Sequence, residues 1–239
     1  MPSLTGKSCI VTGASSGIGL AVARRFAQDG ANIALVGRSA DKLEAAARSM
    51  DSFPGRRVIV QADVTQEVET QRLVQQTLGE FGALDVLVNA AGAAYFLPIA
   101  ETTLDQWDEV LDTNLKAVFL LCRLVTPPML AAGHGDIVNI ASIAAHQGFD
   151  GGTAYCASKH GLLGFSRALA LEVRRQGLRV ITVSPGSVDT PLWDPMEWSP
   201  DRAKMLHPED VAEAVFGSLT FSGNASVDEL IVMPRDGVL

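Results

Sequence analysis

Tyr155 and Lys159 stand four residues apart in the stretch Tyr155-Cys156-Ala157-Ser158-Lys159. On a helix that spacing puts a phenol and an ammonium one turn apart on the same face. A nearby cation favours the phenolate, so the pair is expected to lower the tyrosine pKa from its usual value near 10. A tyrosine tuned in that way trades a proton with a substrate near neutral pH. The spacing also recurs by chance on surface helices, so its meaning depends on what the rest of the chain brings beside it.

A second stretch with chemistry in it is Thr12-Gly13-Ala14-Ser15-Ser16-Gly17-Ile18-Gly19, between a short β-rich run and a helical one. Glycines there let the backbone turn tightly and approach a diphosphate. The helix that follows offers free N–H groups and the positive end of its dipole. The spacing is G-x-x-x-G-x-G. The same residues match the G-x-S-x-G nucleophile elbow of serine hydrolases, with Ser15 as nucleophile. That elbow needs strands and an oxyanion loop upstream, and only 14 residues precede Ser15, which sets the hydrolase reading aside. After the next apolar run comes Gly37-Arg38-Ser39. NAD sites usually hold the ribose hydroxyls with an acidic side chain at this point. Arg38 suits a 2′-phosphate instead, which favours NADP over NAD.

These residues need a scaffold, and the hydrophobic pattern predicts one. Strands are expected at 8–12, 32–36, 57–61, 84–88, 136–141, 178–184 and 230–233. Helices are expected at 18–28, 40–50, 66–81, 104–130, 153–176 and 208–219, the fourth disturbed at Pro127-Pro128. The run Leu84 to Val88 is apolar throughout, as in a strand buried on both faces. Strand and helix alternate with short links, which implies an α/β fold: one Rossmann-type, doubly wound parallel sheet of about seven strands with helices on both faces. Residues 1–239 read as one dinucleotide-binding and catalytic domain. Its least regular part, 185–207, holds four prolines and two tryptophans and is expected to be the substrate loop.

Composition narrows the function classes. The chain has 239 residues, 47% of them hydrophobic, enough for one large core. Net charge is −8, so a nucleic-acid partner has no electrostatic support. Cys9, Cys122 and Cys156 are odd in number and scattered, which indicates neither disulfides nor a metal cluster, and free thiols suit a reducing cytoplasm. The N-terminus has no signal-peptide layout. The most apolar helical run, 117–122, stops at Arg123, short of the ~20 apolar residues of a membrane span. Asn224-Ala225-Ser226 fits a glycosylation sequon that a cytoplasmic protein would not present.

Taken together and in order, these pieces resemble the short-chain dehydrogenase/reductase family over nearly the whole chain. The resemblance adds Asp63 after the third strand, Asn89-Ala90-Ala91-Gly92 after the fourth, Asn114 in the long helix, Ser142 after the fifth strand and Pro185-Gly186 after the sixth. The 13-residue interval from Ser142 to Tyr155 is the family's usual one. The resemblance implies that Tyr155 is general acid in reduction and base in oxidation. Lys159 would lower its pKa and hold the nicotinamide ribose. Ser142 would hydrogen-bond the substrate oxygen, and Asn114 would position a water leading a proton relay toward Lys159. The cofactor would rest on Gly13, Ser15, Ser16, Gly17, Ile18, Gly19 and Arg38. Asp63 and Val64 would meet the adenine, and Asn89, Ala90 and Gly92 the adenosine ribose and sheet edge. Pro185, Gly186, Val188 and Thr190 would hold the nicotinamide carboxamide. Ser16 stands where many NADP-binding members carry Lys or Arg, so the cofactor expectation rests on Arg38.

Other residues are read more plainly. His134, His146, His160 and His207 lack metal-ligand spacing, and His146 reads as a loop histidine within reach of the substrate pocket. Cys156 reads as packing, and Arg174-Arg175 with Arg179 as a solvated helix end. Tyr95, Phe96, Phe149, Trp193, Met196 and Trp198 are candidates to line an apolar pocket. The helix from Thr153 is apolar almost all round, so one side is expected on the sheet and another on a second subunit in a homodimer or homotetramer. The expected activity is an NADP(H)-dependent interconversion of a small-molecule carbonyl and alcohol in the cytoplasm. Two alternatives stand beside it: a 3-oxoacyl-[acyl-carrier-protein] reductase, and a non-catalytic dinucleotide-binding regulator.

Overall fold

Short aliphatic runs that are apolar on both faces can only be strands covered on both sides, and the chain uses them so. The computed structural model describes residues 3–196, 199–221 and 225–237. Its strands are β1 (Ser8–Thr12), β2 (Asn32–Gly37), β3 (Arg57–Gln61), β4 (Val86–Asn89), β5 (Gly135–Ile140), β6 (Leu178–Pro185) and β7 (Glu229–Val232). They form one sheet in the order β3-β2-β1-β4-β5-β6-β7, parallel throughout. Every residue of β1 and β4 is buried, whereas the edge strand β7 alternates between exposed and half-buried.

The α-helices among the described residues are α1 (Gly17–Gln28), α2 (Ala40–Arg48), α3 (Glu67–Phe81), α4 (Leu104–Leu111), α5 (Ala117–Ala132), α6 (Thr153–Val173) and α7 (Pro208–Leu219), and all but α4 pack on the sheet or on its core. The core accordingly divides in two. Phe26, Leu43 and Val211 lie with α1, α2 and α7 on one face. Leu73, Leu121 and Leu162 lie with α3, α5 and α6 on the other. Chain order reverses between β1 and β4, which opens a crevice at the carboxyl ends of the strands.

The helix expected at 104–130 differs from its prediction in an informative way. It is not broken at Pro127-Pro128, both of which lie inside α5. Pro127 is on the exposed side, where a carbonyl that loses its donor can turn to water. The irregularity falls instead at Asp112–Lys116, a π-helical turn in which the Ala117 N–H reaches back to the Asp112 carbonyl. The continuous rod Leu104–Ala132 has 29 residues, and an 18-residue window within it reaches a mean hydropathy of 1.5, long and apolar enough to cross a membrane by length and composition. That corrects the expectation that no segment approaches such a length. In this fold its apolar side, with Val118, Leu121, Cys122, Val125 and Met129, is core against the sheet. Arg123, read as its stop, pairs with Glu67 at the start of α3.

The segment 185–207 is more ordered than a structureless loop. Val188 and Leu206 form a parallel bridge that closes its base. Arg202 reaches Asp189 at 3.1 Å and Asp194 at 2.7 Å. Short 3₁₀ turns occupy Pro191–Trp193 and Arg202–Lys204. Trp198 and Asn224, named above for the pocket and the sequon, lie outside the described residues.

Candidate active site

Glycine at positions 13 and 19 is a steric requirement. Gly13 has φ +66°, and a Cβ there would lie 2.8 Å from the Ala90 carbonyl oxygen. A Cβ on Gly19 would lie 2.4 Å from the Gly13 carbonyl oxygen. The turn therefore folds onto the segment after β4, and Thr12 locks it there: its hydroxyl accepts from the Ala90 and Ala91 N–H groups at 3.0 and 3.1 Å. This clamp was not anticipated from the sequence, although a hydroxyl immediately before Gly13 was a signal. Ser16, the residue before α1, makes no side-chain cap, and the first turn of α1 carries no acid. The N-terminal N–H groups and the dipole are thus left to an external anion.

The crevice above this turn holds about 1220 Å³, more than the ~300–1,000 Å³ of an ordinary small-ligand pocket. Its lining includes Gly13, Ser15, Ser16, Gly17, Ile18 and Gly19 at one end and Ser142, Tyr155 and Lys159 at the other. Arg38, Asp63, Val64, Ala90, Gly92, Pro185, Gly186, Val188 and Thr190 also line it. Arg38 is exposed at the end of β2, and its carbonyl accepts from Gln61 at 3.0 Å. One Asp63 carboxylate oxygen accepts from the Thr65 N–H and hydroxyl, which fixes the side chain after β3. These residues fit a dinucleotide phosphate: a bare glycine cradle, an unopposed helix N-terminus, and an arginine where a ribose phosphate would end.

Two expected residues stand behind the crevice and do not line it. Asn89 is buried, donates to the Asn139 side-chain oxygen at 2.8 Å, and has no protein partner for its own Oδ1. Asn139 in turn donates to Ser166 of α6 at 2.8 Å. Strand alternation sends Asn89 inward while Ala90 and Gly92 face the cleft, which corrects the expectation of direct contact. Asn114, also buried, is carried inward by the π turn. Its Oδ1 accepts from the Ala93 N–H at 2.9 Å, and its Nδ2 donates to the Ala93 carbonyl at 2.9 Å and to Ser158 Oγ at 3.0 Å. Ser158 donates to the Tyr155 carbonyl at 2.7 Å. The Asn114 side chain therefore ties the cleft wall to the helix that carries Tyr155.

The electrostatics of the pair also differ from expectation. Burial pushes the Tyr155 phenol up to about 12, and the neighbouring Ser142 hydroxyl acts in the opposite direction. Lys159 does not offset that burial. Its Nζ donates to the Ile140 carbonyl at 2.9 Å and lies 5.6 Å from the Tyr155 ring centroid. Burial in turn brings the lysine down to about 8. One helical turn places the two side chains side by side, but a backbone acceptor at the end of β5 holds the ammonium.

His146 turns away from the cleft to Ser184, 3.1 Å from its Nε2. Cys156 lies against the Gln147 carbonyl. Tyr95, Phe96, Phe149 and Trp193 line the crevice as expected, and Met196 does not.

A family model described as short chain dehydrogenase matches residues 7–200. An uncharacterised oxidoreductase of Staphylococcus saprophyticus is 37% identical over 238 residues, 98% of this chain and 100% of that relative. A glycine betaine reductase of Emericella nidulans is 37% identical over 241 residues, 98% of this chain; the chain spans 19% of that longer protein. Among solved structures, a metagenomic short-chain oxidoreductase in complex with NADP superposes with a TM-score of 0.86 at 34% identity, over 98% of this chain and 99% of the other. A short-chain type dehydrogenase/reductase from Mycobacterium marinum gives 0.89 at 29%, over 97% and 96%.

Proposed function

This chain belongs to the short-chain dehydrogenase/reductase family, and from that premise we propose that it is an NADP(H)-dependent oxidoreductase interconverting a ketone or aldehyde and an alcohol, with Tyr155 as the proton donor. The observation that carries the reading is one crevice lined by both the glycine turn and the group Ser142, Tyr155 and Lys159. Arg38, exposed at the end of β2, supports the 2′-phosphate and so NADP.

Bound NADPH would supply the hydride. The chain supplies orientation and the proton. Tyr155, held up to about 12, is a protonated phenol at neutral pH, the form that donates to a carbonyl oxygen as negative charge develops on it. Ser142, lining the same crevice as Tyr155, would supply a second donor to the same oxygen. Lys159 places a cation behind the phenol, and Asn114 keeps the helix bearing both in register with the cleft wall.

Three further parts belong to the same proposal. The acids at the cleft mouth, Glu109 and Asp150, speak against an acidic acyl carrier as partner. Phe119, 45% exposed and edge-on to Phe165 of α6, supports association with a second copy. Free thiols at Cys9, Cys122 and Cys156 suit a reducing cytoplasm.

The test is NADPH oxidation by the purified protein with a panel of aldehydes and ketones. Tyr155→Phe is expected to lower turnover about 100-fold or more. Full turnover in that variant would remove the tyrosine from its assigned role.

A further inference from the structure

Four aromatic rings converge where a substrate must approach Tyr155. Phe96 is their hub, with its centroid 5.3 Å from Phe149, 5.5 Å from Tyr155 and 5.4 Å from Trp193. Two of the walls are fixed by the fold. The Trp193 indole N–H donates to the Val188 carbonyl at 3.1 Å. The Phe149 ring lies against the bare Cα of Gly152, where a Cβ would come within 2.5 Å of it. Phe149 is exposed and Phe96, Tyr155 and Trp193 are half-buried. Aromatic surface held in place and still open to water at a cleft mouth is surface that a ligand covers.

The charges around these rings have one sign. Among the described residues, the only cationic side chains lining the crevice are Arg38, at the cofactor end, and Lys159, which donates to Ile140. The remaining charged lining residues outside the cofactor end are Glu109, Asp112 and Asp150. Glu109 accepts from the Tyr95 hydroxyl at 2.6 Å, and Asp112 pairs with Lys116 at 3.1 Å. Asp150 is exposed and follows Phe149 directly in the chain. An anionic substrate would meet these carboxylates with no cation to receive it. A neutral apolar one would use the rings alone. An organic cation uses both, because ring faces are electron-rich and an ammonium without N–H groups needs no directed hydrogen bond.

We infer that the substrate carries a quaternary ammonium group close to its carbonyl, seated against Phe96, Phe149 and Trp193 while the carbonyl oxygen meets Tyr155. The inference rests on the carbonyl-reduction reading above. The ring spacing sets the geometry: the Phe96 centroid is 5.5 Å from that of Tyr155, so cation and carbonyl are separated by a short carbon chain. Reduction adds a hydride from the reduced nicotinamide to the carbonyl carbon and a proton from Tyr155 to its oxygen. The ammonium is unchanged.

The experiment compares kcat/KM with NADPH for trimethylammonio-acetaldehyde and its uncharged isostere 3,3-dimethylbutanal, each referred to the unhydrated aldehyde. The cation is expected to be preferred by about tenfold or more. That ratio is expected to fall toward one in Phe96→Leu, and to fall in Asp150→Asn, a surface change that leaves the core untouched. A ratio at or below one, or a preference that survives both substitutions, overturns the inference. If neither aldehyde is reduced, the oxidoreductase reading is what has failed, and calorimetric binding decides the box by itself. Choline binding more tightly than 3,3-dimethylbutan-1-ol sustains it, and equal or weaker binding overturns it.

Discussion

Lys159 and Tyr155 depart from their ordinary titration in opposite senses, and both departures have consequences for stability. Lys159 titrates near 8 in the fold against 10.5 in the open chain, because burial disfavours its ammonium. Between those values the unfolded chain binds more protons, so stability rises with pH across that window. Below pH 8 the buried charge costs about 3 kcal/mol. Tyr155 holds its proton to about 12 against 10, so its contribution falls as pH rises from 10 to 12. Buried Cys9 and Cys122, whose thiols are pushed up by burial, act in the opposite sense from pH 9 upward. The lysine is therefore read by difference: in a thermal-melt series without cofactor, the melting temperature of the wild type relative to Lys159→Met is expected to rise from pH 8 to 10. Arg38 is an exposed cation with a proposed phosphate partner. Arg38→Ala is expected to raise KM for NADPH about tenfold or more while leaving KM for NADH nearly unchanged, and steady-state titration of the two cofactors reads this directly.

At the scale of elements, the site depends on joints between neighbours more than on the elements themselves. The π turn at Asp112–Lys116 exists where Asn114 must reach Ala93 and Ser158. Removing that side chain takes away the protein partner of the half-buried Ala93 N–H and carbonyl and of Ser158, so Asn114→Ala is expected to cost about 1–3 kcal/mol by chemical denaturation. It should also loosen the wall facing Tyr155 and lower kcat more than it raises KM. Thr12 makes the corresponding joint on the cofactor side, between the glycine turn and the segment after β4. The substrate segment is joined at its base by the Val188–Leu206 bridge and by Arg202, so its proline-rich middle is presented from a fixed frame.

For the molecule as a whole, the exposed Phe119 against Phe165 marks the face through which a second copy would dock. Wild-type protein is expected to elute above its 25.3 kDa monomer mass in gel filtration, and Phe119→Glu to shift it toward the monomer; a wild-type monomer stable to dilution would remove the proposed dimer. The alternation of strand and helix, the parallel sheet and the position of the glycine turn could all be read from the sequence. They follow from local periodicity and from the residue types that a tight βα turn tolerates. The juxtaposition of Tyr155 and Lys159 follows from one helix face, whereas Ser142 was brought beside them only by the family resemblance. Two things could not be read: Asn89 and Asn114 stand behind the cleft wall, and the lysine ammonium is held by a backbone carbonyl and not by the phenol. Phe96, Phe149 and Trp193 were legible as pocket candidates, but their packing around Phe96 was not. Each depends on which groups from distant parts of the chain meet once the sheet is closed, and on how much water that closure removes. The sequence by itself determined the scaffold and the place of the glycine turn; the tertiary structure decided which side chains share the crevice and the surface a substrate would meet, because burial and long-range contact exist only in the packed chain.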